Sequence, residues 1–217
     1  MDLEFFKSEW TYLTGAFVTL FFIIDPFAVV PVYLTLTNRF SPADQAHIRV
    51  KASLISLGIL VAFAVSGMKF FQLFGITMPA FQIAGGLLLL LLGVSQLNAA
   101  RKKVTSVEED EGLTRDDISV FPLATPLLAG PGAISTVILL ATKAESALRL
   151  GELVVVIVAC TGISLLVLKF SPMLYRVLGN TGLTLLSRIM GIVLTAVAVQ
   201  FILNGLSEAW ARMGHGL

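Results

Sequence analysis

The sequence predicts an all-α membrane protein. Six transmembrane helices form two inverted three-helix repeats, with helices one and four broken at paired prolines. Three observations predict this. Of the 217 residues, 56% are hydrophobic and only 13% charged, and the mean hydropathy of +0.89 lies far above that of a soluble domain. Six apolar stretches reach the length of about 20 residues that a helix needs to cross the hydrocarbon core. And one short proline motif appears twice, at Asp25-Pro26-Phe27-Ala28-Val29-Val30-Pro31 and at Thr125-Pro126-Leu127-Leu128-Ala129-Gly130-Pro131-Gly132, so that Pro126 and Pro131 stand 100 residues after Pro26 and Pro31.

Composition also excludes several functions. A net charge of +1 without a basic stripe offers nucleic acid no binding face. The single cysteine, Cys160, sits inside an apolar run, and His47 and His215 lie outside the runs, so neither a disulfide nor a metal site is expected. No cofactor is implied. The start of the chain carries Asp2, Glu4 and Glu9 against Lys7, and lacks the basic start and cleavage site of a signal peptide. The first apolar run is therefore expected to remain as a membrane helix.

Taken in order, the spans are predicted at 11–37, 51–72, 78–98, 119–142, 151–170 and 184–206. Residues 1–98 form the first repeat and 119–217 the second. The stretch 99–118 between them holds Arg101, Lys102, Lys103, Glu108, Glu109, Asp110, Glu111, Arg115, Asp116 and Asp117, and reads as a solvated linker. Loops after spans one, three and five hold nine basic residues (Arg39, Arg49, Lys51, Arg101, Lys102, Lys103, Arg115, Lys169, Arg176) against five on the other side (Lys7, Lys69, Lys143, Arg149, Arg212). This bias places the 99–118 loop in the cytoplasm and both termini outside. Three spans per half make the second half enter the membrane from the opposite side, hence the inverted repeat. Further matches support it: Lys69-Phe70 with Lys169-Phe170, Gly75-Ile76-Thr77 with Gly182-Leu183-Thr184, Gly85 with Gly191, and Asn98 with Asn204.

The prolines carry the chemistry. A proline inside a helix removes a donor and clashes with the preceding turn. In a membrane the freed backbone groups need protein, water or a ligand to satisfy them. Two matched breaks therefore point to a midplane binding site, whereas simple kinks would only shape the helices. Pro31 and Pro131 suit the first position of a new helical segment. The amides after each break, such as those of Gly132 and Ala133, then favour an anion, with a carboxylate as the natural guest. Asp25 is the one carboxylate well inside a span. Three roles compete for it: holding a substrate ammonium, carrying a proton, or capping the helix that follows. Thr125 takes its place in the second half and cannot titrate. Ala129, Gly130, Gly132, Ala133, Ser135 and Thr136 leave room for a small guest, or for close helix packing. Gln82 and Arg188 stand at matched positions as a candidate gate or ion pair, with snorkelling to the cytoplasmic surface the default reading for Arg188 and pairing with Asp25 or an anionic substrate the sharper alternative. Gln96 and Gln200 read as single amides for interhelical hydrogen bonds. Gly85, Gly86 and Gly191 read as packing positions, and the run Leu87 to Leu92 as filler.

The stretch Phe121-Pro122-Leu123-Ala124-Thr125-Pro126-Leu127-Leu128-Ala129-Gly130-Pro131-Gly132-Ala133-Ile134-Ser135-Thr136 resembles the signature of the MarC family, which includes the SnatA small neutral amino acid transporters. The Asp25-Pro26 to Pro31 element is similar to that family's Asn/Asp-Pro element. The resemblance runs from about Trp10 to Leu206. It implies six spans, a bacterial or archaeal inner membrane, and transport of glycine or alanine, with export as one direction and proton coupling in some relatives. Relatives often carry Asn where this chain has Asp25.

The expectation is therefore a secondary transporter of small neutral amino acids, an exporter or exchanger and not an enzyme. It would sit in the bilayer with an amino acid as its small-molecule partner, and homo-oligomer formation is left open. The alternatives are a transporter of another small metabolite or drug, or a non-transporting membrane protein. A membrane-embedded enzyme would need a nucleophile–base pair or metal cluster within the spans, and Asp25 has no such partner in the sequence.

Overall fold

The computed structural model describes residues 2–98, 118–142, 144 and 146–214, so the charged linker, apart from Ile118, lies outside the described residues. The helices are α1 (Asp2–Ile24), α2 (Pro26–Thr37), α3 (Pro42–Phe74), α4 (Met78–Asn98), α5 (Ser119–Leu128), α6 (Pro131–Thr142), α7 (Ala147–Lys169) and α8 (Ser171–Gly214). No strand occurs among the described residues. Among the described residues, five helical stretches are long and apolar enough to span a bilayer, and a sixth arises if α5 and α6 count as one span bent by 55°.

Several boundaries differ from those predicted. Helix α3 starts nine residues before the apolar run, because Ser41 caps it: Ser41 Oγ accepts from the Asp44 amide at 3.2 Å and donates to Asp44 Oδ2 at 2.8 Å. Arg49 and Lys51 therefore lie on α3 and not in a loop. Ser146 caps α7 in the same way, accepting from the Arg149 amide. Helix α8 begins directly after Phe170 and changes direction at Gly179, whose φ of 62° only glycine adopts freely. Among the described residues, the other glycine with positive φ is Gly75, in the turn before α4. The tight turn that precedes the last span is thus at Gly179, and Gly182, matched to Gly75 on sequence, lies within α8.

Packing runs mainly between the two halves of the chain. Helix α4 lies along α8, α3 along α7, and the α1–α2 span against α6, α7 and α8. Glycines allow the α4–α8 approach. A Cβ at Gly86 would stand 2.7 Å from Ile202 Cγ1 and 2.8 Å from the Ala198 carbonyl, and one at Gly191 would stand 3.1 Å from the Gly93 carbonyl. Gly86 and Gly191 are therefore packing positions, as read from sequence, whereas Gly85 faces Ser135 of α6. Tyr33 is fully buried and donates to the Gln45 backbone carbonyl at 3.0 Å, while the Gln45 side-chain Nε2 donates to the Thr37 carbonyl at 3.0 Å. These bonds lock the end of α2 onto α3. The outside is apolar: Leu54, Leu91, Val155 and Leu185 are all at least 60% exposed. Apolar surface on that scale suits contact with lipid tails.

Candidate binding site

The first break is a single residue. The Asp25 amide still donates to the Phe21 carbonyl at 3.0 Å, so α1 runs up to it. Asp25 then takes a left-handed backbone (φ 42°, ψ 67°), a region that Asp and Asn tolerate better than other side chains. Pro26 opens α2, where its missing donor costs nothing. Asp25 caps the new helix itself: the Ala28 amide donates to the Asp25 carbonyl at 3.1 Å and to Oδ1 at 3.3 Å. Pro31, expected to start a new segment, lies inside α2. The carboxylate cap sets the helix start five residues earlier, at Pro26, and the helix passes through Pro31.

The second break is wider. Phe121 (φ −132°, ψ 127°) and Thr125 (φ −132°, ψ 123°) are extended, each just before a proline. Steric clash with the proline ring drives the preceding residue there. Pro122, outside the doubled motif, thus takes part in the interruption. Helix α5 ends in a wide turn in which the Ala129 amide donates to the Ala124 carbonyl at 2.8 Å. Pro131 opens α6, as expected. Its first-turn amides, those of Gly132 and Ala133, precede the Ile134 amide, which donates to the Gly130 carbonyl at 3.0 Å. The residue before Pro131 is Gly130, which has no side chain to cap them in the way Asp25 caps α2.

The two breaks share one cavity of about 170 Å³. Its lining comprises Ile23, Ile24, Asp25, Ala28 and Val29 from the first break, Pro126, Leu127, Gly130, Pro131, Gly132 and Ala133 from the second, Leu92 and Gln96 from α4, and Leu194 from α8. Asp25 is 3% exposed and, among the described residues, is the one ionisable side chain in that lining. Its Oδ2 has no hydrogen-bond partner within 3.5 Å. The Gln96 side chain and the Phe27 amide stand beside the carboxyl group. Gln96 Oε1 is likewise buried and without a partner. Two glycines hold the second wall in place. A Cβ at Gly130 would strike the Pro126 carbonyl, and one at Gly132 would strike Leu89 and come within 3.4 Å of Ile23.

Other predicted site residues stand behind this wall. Pro26 and Ala129 are buried and Thr125 half-buried, and none of them lines the cavity. The Ser135 hydroxyl donates to the Pro131 carbonyl at 2.7 Å and that of Thr136 to the Gly132 carbonyl at 2.9 Å. These bonds hold the first turn of α6 and leave neither hydroxyl in the cavity lining. Gln82 is buried on α4 against Gly205, Arg188 is exposed on α8, and neither reaches the cavity.

Sequence alone gave Gln96 only an interhelical hydrogen bond and the Leu87–Leu92 run no role beyond filler. Leu89 is fully buried against the Gly132 position and Leu92 lines the cavity. The run is therefore not filler. A signal was present: Gln82, Leu89 and Gln96 recur every seven residues, which puts them on one face of α4.

The fold and the site define a polytopic all-helical membrane protein with interrupted spans around a small central cavity. Residues 10–210 match the family described as MarC family integral membrane protein, and the chain belongs to that family. A UPF0056 membrane protein from Aquifex aeolicus is 40% identical over 96% of this chain and 98% of its own length. Another from Methanocaldococcus jannaschii is 37% identical over 96% of this chain and 99% of its own. The UPF0056 membrane protein YvbG of Bacillus subtilis is 34% identical, covering 91% and 95% respectively. No solved structure matches the chain.

Proposed function

We propose that this protein is a secondary transporter of small neutral amino acids such as alanine and glycine, acting as an exporter or exchanger. One observation carries the reading: both breaks line the same cavity, with a carboxylate on one side and, on the other, the first-turn amides of a helix that follows Gly130 and so gets no side-chain cap from that residue. A buried charge without a partner is costly, so the guest at Asp25 should be cationic. The open amides at the start of α6 favour an anion. A zwitterion satisfies both at once. Its ammonium goes to Asp25 and its carboxylate to Gly132 and Ala133. The volume suits a small guest, and Leu92, Leu194 and Ile23 suit a short aliphatic side chain.

The architecture we propose is the pair of inverted repeats, rocking about this cavity. The packing supports it. Helix α4 pairs with α8 and α3 with α7, and the contact of α3 with α5 is answered by that of α1 with α7. Such exchanged pairs are what a pseudo-two-fold axis generates. The protein sits in the inner membrane with its termini outside and the 99–118 loop inside, as the basic residues indicate. We assign it no catalytic step.

Purified protein in liposomes tests this reading. Labelled alanine or glycine should exchange, and Gly132→Leu should abolish the exchange by filling the cavity wall. Absence of exchange for every small neutral amino acid, with the protein shown folded, would overturn it.

A further inference from the structure

We propose that the structure is one of two alternating states of the transporter, open on the face where α4 ends at Asn98. In this state the pocket between α2, α3 and α8 is the substrate's vestibule, and the contact of Ser135 with Gly85 is the closed gate toward the other face. The inference rests on the inverted-repeat reading above and adds to it an entry route and a pair of gate contacts.

Thr35 and Ser135 stand 100 residues apart, each four positions after its motif's second proline. They make the same bond: the Thr35 hydroxyl donates to the Pro31 carbonyl at 2.9 Å, and that of Ser135 to the Pro131 carbonyl at 2.7 Å. Their surroundings differ. Ser135 is 5% exposed, and a Cβ at Gly85 of α4 would stand 3.1 Å from Ser135 Cβ. Thr35 is exposed and lines a pocket of about 960 Å³. That pocket has a polar wall of Asn38, Gln45, Tyr175 and Arg176, which water and a zwitterion can wet. Ala28 of the central cavity and Pro31, Thr35 and Asn38 of the pocket follow one another at helical spacing, so one face of α2 leads from the first to the second. The same imbalance recurs on α4 and α8. Leu92 lines the central cavity and is 44% exposed. Ala198, which follows Leu92 by the 106 residues that separate Gly191 from Gly85, is fully buried with its carbonyl against Gly86. Positions toward the Asn98 face are thus open, and their counterparts toward the far face are packed. A two-fold exchange of contacts then fixes the other state: Ser135 leaves Gly85, and Thr35 closes onto Gly191.

Thiol labelling of the full-length protein tests this in a Cys160→Ala background, since Cys160 is the chain's single cysteine. With a charged methanethiosulfonate reagent, Thr35→Cys should react at least about 10-fold faster than Ser135→Cys, which opens only in a minor state. Equal rates overturn the assignment of the state, and so does a Ser135→Cys that never reacts in protein that exchanges alanine. The pair Gly85→Cys and Ser135→Cys should form a disulfide on oxidation, because its Cβ atoms lie close to the roughly 3.5–4.5 Å that a disulfide spans. The crosslink should stop alanine exchange in liposomes, and reduction should restore it. Exchange that continues through the crosslinked protein removes Ser135 and Gly85 from the gate. Labelling needs no substrate, so its failure with exchange intact strikes this inference alone. Wild-type protein that is folded yet exchanges neither alanine nor glycine strikes the underlying reading instead.

Discussion

The two helix breaks share a motif and differ in what fills them. At the first, one left-handed residue interrupts the span, and its own carboxylate caps the helix that follows. At the second, two extended residues interrupt α5 itself, a wide turn ends it, and Gly130 before α6 has no side chain to cap the amides that follow. The first break thus brings its own anion, while the second leaves an anion's place open. Equal breaks would build a site for a guest charged alike at both ends, doubly anionic if both were open and doubly cationic if both carried an aspartate. Unequal ones build a site with two electrical ends. The asymmetry traces to one position, where Asp25 stands in the first half and Thr125 in the second.

The largest expected effect comes from filling the second break. Gly132→Leu should reduce exchange in liposomes below detection, because its side chain enters the space of Leu89 and Ile23. Residual exchange near wild type would mean the guest sits elsewhere.

A subtler change makes the second break resemble the first. Ala133→Asp places an anion in the first turn of α6, where the helix dipole favours it by about 0.3–1 kcal/mol. The new carboxylate competes with that of the substrate, so exchange should fall by about 10-fold or more while the protein still elutes as a folded species. Unchanged exchange would deny the α6 amides their role.

Next come the substitutions at Asp25. Asparagine tolerates the left-handed backbone and caps as well as aspartate. Asp25→Asn should therefore melt close to wild type, yet exchange about 10-fold more slowly, since it loses the charge that faces the ammonium. Asp25→Ala loses cap and charge together and should be less stable by about 1–2 kcal/mol. Two alanine effects of equal size, with no loss in Asp25→Asn, would reduce Asp25 to a cap. If Asp25 also carries a transported proton, the slow exchange of Asp25→Asn should not vary with pH. A variant that keeps the wild-type pH profile excludes that role.

The smallest effects belong to residues that the structure takes out of the site. Pro31 lies inside α2, so Pro31→Ala should leave exchange within about two-fold. It should hold or raise stability, since an interior proline costs a helix up to about 3 kcal/mol. Arg188→Gln should be similarly silent in exchange, as Arg188 is exposed and away from the cavity.

Much of this organisation is legible in the residues themselves. Long apolar runs announce spans, because only helices and closed barrels satisfy the backbone in lipid. The placement of Asp25-Pro26 and Gly130-Pro131-Gly132 marks both breaks. What sequence left hidden is of two kinds. Capping decides where a helix starts, so the Asp25 carboxylate moved the first break to Pro26, and Ser41 moved the start of α3. Tertiary packing decides which side chains share a cavity. Gln96 and Leu92 reach the breaks only because α4 lies against α6, while the hydroxyls of Ser135 and Thr136 turn back onto their own helix. Periodicity placed Gln96 on the stripe of Gln82 and Leu89 but could not say what that stripe faces.

The most direct test compares alanine with its two halves. Thermal unfolding of the detergent-solubilised protein is measured with alanine, with propionate, which lacks the ammonium, and with ethylamine, which lacks the carboxylate. Alanine should raise the unfolding temperature in a saturable manner, and neither half should do so at the same concentration. Stabilisation by either half as strong as that by alanine, or none by alanine in a folded protein, would contradict a cavity with a positive and a negative end.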